Sequence, residues 1–343
     1  MACEVIVDNI SREDWERYAG NFADYSIYQT WPYQQVRAEM DGQEVSRAVV
    51  KDENGHVVTM CQIRIKRIIP LGLRIGYVQW GPLFKRKEPE VICSVEALQK
   101  LREAYLTHKV NVFRVVPNAR DDEMGRRFAE MLQSTGFAHV KSVEPYRTFI
   151  LPVNDSEEGI RKRLRKSFRR DLRYAEKAHI EIREGSSVEF CDILEKLYMA
   201  LLRRKKFKGL NPREFIQTQN SLSTAEKMNI ILAYKDAEPV AAHLASNLGD
   251  TGVVLLAASN EKGLACGASY LIWYKGAVAA WSAGMKRYDL GGIDQDKNPT
   301  VYQFKSRMGG EEVSYIGAFD ACSNICTKVV WRITERLYNL IKS

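Results

Sequence analysis

Two stretches near the C-terminus hold the residues best suited to chemistry. KRYDLGGID (286–294) puts Gly291 and Gly292 after a short strand and Asp294 just beyond them. VYQFKSRMGG (301–310) puts Phe304 beside Lys305, with Tyr302 and Arg307 close by. A glycine pair lets the backbone approach a ligand or a neighbouring strand without a Cβ in the way, though the same pair also serves as a turn that only packs. An aromatic ring beside a fixed cation can stack a base while the ammonium neutralises a phosphate or a developing oxyanion. That pairing suits the 3′ end of a tRNA or a pantetheine-phosphate arm; its bland counterpart is a surface lysine next to a core phenylalanine. Asp294 is the carboxylate best placed to meet a substrate amine, and equally a loop cap.

Other chemistries find little support. No Ser-His-Asp or Cys-His grouping and no metal cluster stands out. His243 lies mid-strand among Ala241, Ala242, Leu244 and Ala245, which reads as a packed histidine before a general base. The seven cysteines are odd in number and scattered, with no CxxC pair, and read as reduced thiols. Composition is globular, with 45% hydrophobic and 27% charged residues. No apolar run approaches the roughly 18 residues that span a bilayer, and the N-terminal stretch turns polar too early for a signal peptide, so a cytoplasmic protein is expected.

The net charge of +8 is concentrated. From Arg161 to Lys177 nine Lys or Arg stand against two acidic residues, and RRKKFK follows at 203–208. Such runs either face solvent or face a polyanion: nucleic acid, a phosphorylated substrate or an anionic membrane surface. The spacing of Ile160, Leu164, Phe168, Leu172 and Ala175 predicts one amphipathic helix over 157–178, opened by Ser156-Glu157-Glu158. Its apolar stripe docks on the protein, and Arg165, Lys166 and Arg169 are left for a partner.

The elements that position these residues come twice. RAVVKDENGHVVTMCQIR (47–64) and IILAYKDAEPVAAHLASN (230–247) both read as a β-hairpin, turning at Asp52/Asn54/Gly55 and Asp236/Glu238/Pro239. After the first come a strand at 75–80, a helix around 91–107 and a strand at 110–116. After the second come a strand at 252–259, a helix around 268–283 and a strand at 287–290. Each half thus runs hairpin, strand, helix, strand, which implies a parallel strand pair with a right-handed crossover. The fold class expected is α/β, with mixed sheets in two tandem GNAT-like lobes: 1–150 on the acceptor side and 151–343, opening with the basic helix, on the donor side.

The chain resembles the Fem-type peptidyltransferases, twin-GNAT enzymes that move an amino acid from aminoacyl-tRNA onto a peptidoglycan precursor. The resemblance rests on Tyr28-Gln29 and the helix start Trp31–Arg37, on YVQWGPL (77–83), on FRVVP (113–117) and on the basic helix. It is most specific in the order KRYDLGGID, VYQFKSRMGG, YIGAFD (315–320). It implies that Phe304 and Lys305 serve the aminoacyl-tRNA terminus and transfer, with Asp294 beside them. It also implies a donor site including Tyr302, Arg307, Gly291, Gly292, Arg165, Lys166 and Arg169. An acceptor site is expected from Gln29, Arg37, Tyr77, Gln79, Trp80 and Asn211, although Trp80 also reads as core.

The chain departs from that pattern in places. Val116 stands where muropeptide-binding members carry an acidic residue, and Asn211 where they carry an arginine; Arg37 keeps the cation of their first-lobe lysine. These changes point to an acceptor amine, on a peptide or small molecule, other than the usual UDP-muropeptide. No cofactor is expected beyond the co-substrate aminoacyl-tRNA. The alternative donor is acyl-CoA, with surface-glycan or polysaccharide assembly as its setting, although NEKGLACGASYL (260–271) lacks the charge order and spacing of a pyrophosphate loop. A non-catalytic RNA-binding module is the third reading. Peripheral membrane contact stays open. Replacing Lys305 by Ala is expected to lower turnover far more than stability, on the premise that the lysine is exposed.

Overall fold

The computed structural model describes residues 3–205 and 209–342, so Lys206, Phe207 and Lys208 of the second basic run lie outside the described residues. The chain forms two compact units, Met1–Tyr146 with Ser314–Ser343, and Arg147–Val313.

Unit 1 is built on strands β1 (Glu4–Val7), β2 (Glu44–Lys51), β3 (Val57–Ile68), β4 (Leu73–Gln79), β5 (Val112–Val116) and β6 (Ala138–His139), joined by the last strand of the chain, β14 (Phe319–Cys322). They lie in the order β1-β2-β3-β4-β5-β14-β6. Helices α1 (Arg12–Ala19), α2 (Trp31–Asp41), α3 (Val95–Leu106), α4 (Glu123–Ser134) and the terminal α12 (Ile325–Lys342) flank the sheet. The expected hairpin is β2–β3, and its turn is held by the Asp52 carboxylate, which accepts from the amides of Asn54 and His56 (both 2.9 Å). α3 carries the chain from β4 to its parallel neighbour β5. One core, including Ile63, Val78, Leu101, Phe113, Phe128 and Phe319, fills the α3/α4 side.

Unit 2 repeats the plan with β7 (Arg147–Pro152), β8 (Glu181–Gly185), β9 (Asn229–Lys235), β10 (Glu238–Leu248), β11 (Thr251–Ser259), β12 (Arg287–Asp289) and β13 (Glu311–Ser314), in the order β13-β7-β12-β11-β10-β9-β8. Its helices are α5 (Glu157–Arg163), α6 (Lys166–Glu176), α7 (Val188–Lys205), α8 (Pro212–Ser221), α9 (Glu261–Ala265), α10 (Ala268–Ser282) and α11 (Pro299–Ser306). The hairpin β9–β10 turns at Asp236 and Ala237, both at positive φ (53° and 61°), as a tight two-residue hairpin requires. α10 links β11 to the parallel β12.

The two sheets share more than the expected four elements. In unit 1 the triplet after the crossover is β5-β14-β6, and in unit 2 it is β12-β7-β13. The middle strand in each case arrives from elsewhere in the chain: β14 from the C-terminus, β7 from the segment entering unit 2. Where the sequence reading keeps everything after 150 in the second lobe, residues 314–343 therefore fold with the first. No periodicity signals this exchange, because β14 is four residues long and its partners lie some 200 positions away.

The basic segment also differs from expectation. Ile160, Leu164, Phe168, Leu172 and Ala175 are all buried, as the stripe requires. The helix, however, breaks at Leu164, whose ψ of 138° is extended. The Arg165 amide bonds to the Arg307 carbonyl (2.9 Å) and leaves the helical ladder. The carbonyls freed at the end of α5 are taken up by the Arg169 guanidinium, 2.8 Å from Lys162 O and 3.0 Å from Leu164 O.

Candidate functional site

In unit 2 the strands β11 and β12 pair from Thr251–Arg287 to Val253–Asp289 and then part. β11 runs on to Ser259 past a register shift opposite Leu244/Ala245, while β12 ends and Gly291-Gly292 follow. A sheet that opens between two strands exposes backbone groups that must find other partners. Gly291 takes φ +78°, and a Cβ there would stand 3.1 Å from Val254 O, so glycine is needed for both the turn and the approach.

The turn is fixed from beneath. Asp289 is fully buried; its carboxylate accepts from the Gly291 amide (2.8 Å) and from the Thr148 hydroxyl of β7 (2.5 Å), and Thr148 sits 3.0 Å from the Gly291 carbonyl. Lys305, on α11, completes the arrangement: its ammonium donates to the carbonyls of Gly291 (3.0 Å) and Gly292 (2.8 Å). The side chain is 7% exposed. Burial lowers its pKa to about 8, against the upward pull of the Asp289 charge. An ammonium has three donors, and two are taken. The sequence reading supposed an exposed lysine; the structure buries it against the Gly291-Gly292 carbonyls and beside the Trp273 ring.

Phe304 lies in a ring cluster with Phe168 (5.5 Å), Tyr270 (5.3 Å) and Trp273 (5.4 Å), and keeps part of its surface exposed. The Lys305 ammonium stands 5.6 Å from the Trp273 ring. Aromatic shelf, cation and carbonyl-bearing turn thus converge. Behind Trp273, His243 is wholly buried and shares a 2.9 Å hydrogen bond with the Tyr288 hydroxyl; burial drives its pKa down to about 3, so it is a neutral packed histidine.

The remaining donor-side residues divide. Arg307 donates to the hydroxyls of Ser167 (2.9 Å) and Tyr270 (3.1 Å) and pairs with Asp171, tying α11 to α6; that pairing holds the Asp171 carboxyl below its usual range. Arg165 and Lys166 face solvent, whereas Arg169 is spent on α5. The Tyr302 hydroxyl donates to Glu312 (2.6 Å), which also pairs with Arg147, so Tyr302 is engaged toward β13. Asp294 accepts from the amides of Asp296 (3.1 Å) and Lys297 (2.9 Å) and pairs with the Lys297 ammonium (3.1 Å). These bonds make it a loop cap, and the backbone bond from Lys297 lowers its pKa.

The acceptor-side residues fall in both units. Asn211, in unit 2, caps α8 through the Arg213 amide (3.1 Å). In unit 1, Gln29 is fully buried: its amide nitrogen donates to Gln79 O (2.7 Å) and its oxygen accepts from Gln62 N (2.8 Å). Trp80 packs among Tyr28, Tyr146 and Tyr315. Gln29 and Trp80 are framework. Tyr77, Gln79 and Arg37 remain partly exposed around a residue that sequence reasoning missed, Arg64, which reaches Gln79 Oε1 (3.2 Å) and Asp41 (3.7 Å) and lies 5.5 Å from the Tyr77 ring. An arginine inside the apolar run of β3 was the available signal. Asp289 and Thr148 were also missed; an Asp two residues before the glycine, in the Asx-turn spacing, signalled the first.

One family model and several solved structures match the chain. The FemAB family model matches residues 211–327, from the cap of α8 into the first turn of α12, and so contains the glycine turn and Lys305. The Fem-type resemblance is thereby borne out over these residues, and with it the expected class of enzyme, an acyltransferase. No curated protein matches the chain. Among solved structures, FemX superimposes with a TM-score of 0.80 at 16% identity, covering 98% of this chain and 100% of that one. A conserved protein of unknown function from Bacteroides thetaiotaomicron gives 0.60 at 12% identity over 93% and 99%. The C-terminal domain of a putative lysylphosphatidylglycerol synthetase from Agrobacterium fabrum gives 0.51 at 10% over 94% and 97%. At such identities these likenesses establish the fold, mixed α/β in two related units, and nothing finer. Among the described residues no helix is long and apolar enough to cross a membrane and no metal-binding cluster occurs.

Proposed function

We propose that the protein transfers an amino acid from aminoacyl-tRNA to the amine of a peptide or small-molecule acceptor other than the usual UDP-muropeptide. The observation that carries this reading is the Lys305 ammonium held under Gly291-Gly292 where β11 and β12 part, beside the Phe304 ring. In the proposed reaction the acceptor amine attacks the ester carbonyl at the 3′ end of the tRNA. The N–C bond forms as the ester C–O bond breaks, and the amine proton ends on the ribose hydroxyl. Lys305 offers its third N–H to the tetrahedral oxyanion, and Phe304 offers a stacking face to the terminal base. An amine with pKa about 8 is mostly protonated at neutral pH, which suits a donor role. Arg165 and Lys166 supply phosphate contacts at the start of α6.

The N-terminus of α10 supports tRNA over acyl-CoA. In a CoA-binding GNAT lobe this is where backbone amides hold pyrophosphate. Here Gly267 is packed against α6, so closely that a Cβ would meet Ala175 Cβ at 3.2 Å and Tyr174 Cδ1 at 3.4 Å. An anion there would have to displace the end of that helix. Val116 and Asn211, which is spent as a helix cap, support an acceptor lacking the muropeptide pattern.

The test compares total aminoacyl-tRNA, uncharged tRNA and acetyl-CoA by filter binding and thermal shift at low and moderate salt. Preference for charged tRNA, fading with salt, is expected. Stabilisation by acetyl-CoA with no preference for charged tRNA overturns the reading in favour of a CoA-dependent transferase. Equal binding of charged and uncharged tRNA without turnover leaves an RNA-binding module.

A further inference from the structure

The C-terminal helix α12 is covered on one side and bare on the other. Its inward side is anchored to the unit 1 sheet: the Trp331 indole donates to Asp320 (2.7 Å), Glu335 accepts from Arg114 (2.5 Å), and Thr327 is buried. The opposite side presents Ile325, Val329, Val330 and Ile333, exposed by 71%, 52%, 39% and 54%. At helical spacing Ile325, Val329 and Ile333 form one stripe. Solvent-exposed apolar side chains in a contiguous row mark a contact surface more often than an ordinary surface.

The charges beside this stripe are of one sign. Lys328, Arg332 and Arg336 run along its edge, and none forms an ion pair among the described residues. The one carboxylate of the described helix, Glu335, is turned inward to Arg114. A groove of about 670 Å³ runs along the same edge, lined by these three cations and Lys141; the carboxylates in it, Asp320 and Glu335, are already engaged by Arg114.

A second element leaves the sheet at the same end. Ile75 of β4 and Cys322 of β14 both pair with Val112, so the β3–β4 tip and the start of α12 emerge together. That tip exposes Ile69 (87%) and Leu71, with Lys66 facing solvent beside them.

We propose that this face of unit 1, the outer stripe of α12 with the β3–β4 tip, docks on a bilayer carrying anionic headgroups. The stripe inserts at the level of the headgroups and upper acyl chains, and Lys328, Arg332 and Arg336 meet lipid phosphates. Apolar insertion with flanking cations distinguishes a lipid surface from RNA, which would meet the cations but has no use for Ile325, Val329 and Ile333. The inference is independent of which donor unit 2 uses.

The test is co-flotation of the full chain with phosphatidylcholine vesicles and with vesicles containing 30% phosphatidylglycerol, at low and raised salt. Binding to the anionic vesicles that weakens with salt is expected. Val329→Asp with Ile333→Asp should weaken it at least about tenfold, and Lys328→Glu with Arg332→Glu by about fivefold or more per cation. Val329, Ile333 and Arg332 are exposed and Lys328 is half-buried with no ion pair among the described residues to lose, so unchanged circular dichroism and melting temperature are expected and are measured in parallel. Absence of vesicle binding by the wild type overturns the proposal. So does binding that both double variants retain, or a dimer, seen by sedimentation without lipid, that Val329→Asp/Ile333→Asp dissociates.

Discussion

Replacing Lys305 by Met separates the cost of burying a cation from its use. The change keeps the length of the side chain and removes the amine. A lysine ordinarily titrates at 10.5, and burial beside Gly291 and Gly292 lowers this one to about 8. Below pH 8 both folded and unfolded chains carry the proton, and the native state bears the full penalty, roughly 3 kcal/mol. Between pH 8 and 10.5 the unfolded chain binds a proton that the native state lacks, so wild-type stability rises with pH relative to a variant without the amine. Met gives up the hydrogen bonds to two carbonyls, about 1 kcal/mol each. At pH 7 Lys305→Met is therefore expected to match the wild type or exceed it by about 1–2 kcal/mol, and by pH 10 the wild type, having gained about 2.5 kcal/mol relative to the variant, is expected to be the more stable. Urea denaturation of both proteins across pH 7–10 measures this, and taking the difference cancels every other titrating group. Transfer from charged tRNA to a panel of amines should fall by about 100-fold or more, the usual loss for one oxyanion donor. A variant more than about 2 kcal/mol less stable at pH 7, or a stability difference flat with pH, would refute the burial argument.

Three further outcomes follow from the same contacts. Asp289→Asn should move the Lys305 titration below 8, because the Asp289 charge is what pulls it upward; the pH profile of amine labelling at Lys305 reads this, and an unmoved or raised midpoint contradicts it. Arg307→Ala should cost about 1–3 kcal/mol, and the cycle with Asp171→Ala should show a coupling of about 1 kcal/mol; zero coupling means the tie between α11 and α6 contributes nothing. Gln29→Ala leaves the Gln62 amide and Gln79 carbonyl without their buried partner and should cost about 2–4 kcal/mol in urea denaturation; a stable variant with altered acceptor use would instead return Gln29 to the acceptor site.

What the sequence made legible was local. Hairpin turns, strand alternation and the two strand–helix–strand runs are written in neighbouring residues, and both parallel pairs form where the pattern puts them. The stripe of α5–α6 was legible for the same reason, yet the break at Leu164 was not. That break depends on a backbone bond from Arg165 to Arg307, more than a hundred residues away. The exchange of β7 and β14 between the sheets was hidden likewise. At the site, residue types pointed to Lys305, Phe304 and the glycine pair, which the fold does bring together. Exposure could not be read: Lys305 and Gln29 are polar letters in buried places, and burial is a property of what crosses over them.

The repeat also explains why the candidate site lies in one unit. In unit 2, β12 ends after three pairs and the opening it leaves receives Lys305. In unit 1 the corresponding pair, β4–β5, holds five pairs, and beyond Gln79 the chain is stitched again by the Gly81 amide to Val116 O (3.1 Å). Gln29 fills the remaining space: its amide bonds Gln79 O, and a Cβ on Gly81 would meet its carboxamide at 3.1 Å. A closed sheet with a buried glutamine cannot admit a substrate carbonyl between its strands. Unit 1 instead carries its polar groups on the sheet face, where Arg64, Tyr77 and Arg114 sit opposite one another on β3, β4 and β5. One copy of the fold parts its strands and seats Lys305 in the gap, and the other closes them and holds Arg64 and Arg114 nearly buried on the sheet face, Arg114 paired with Asp320 and Glu335.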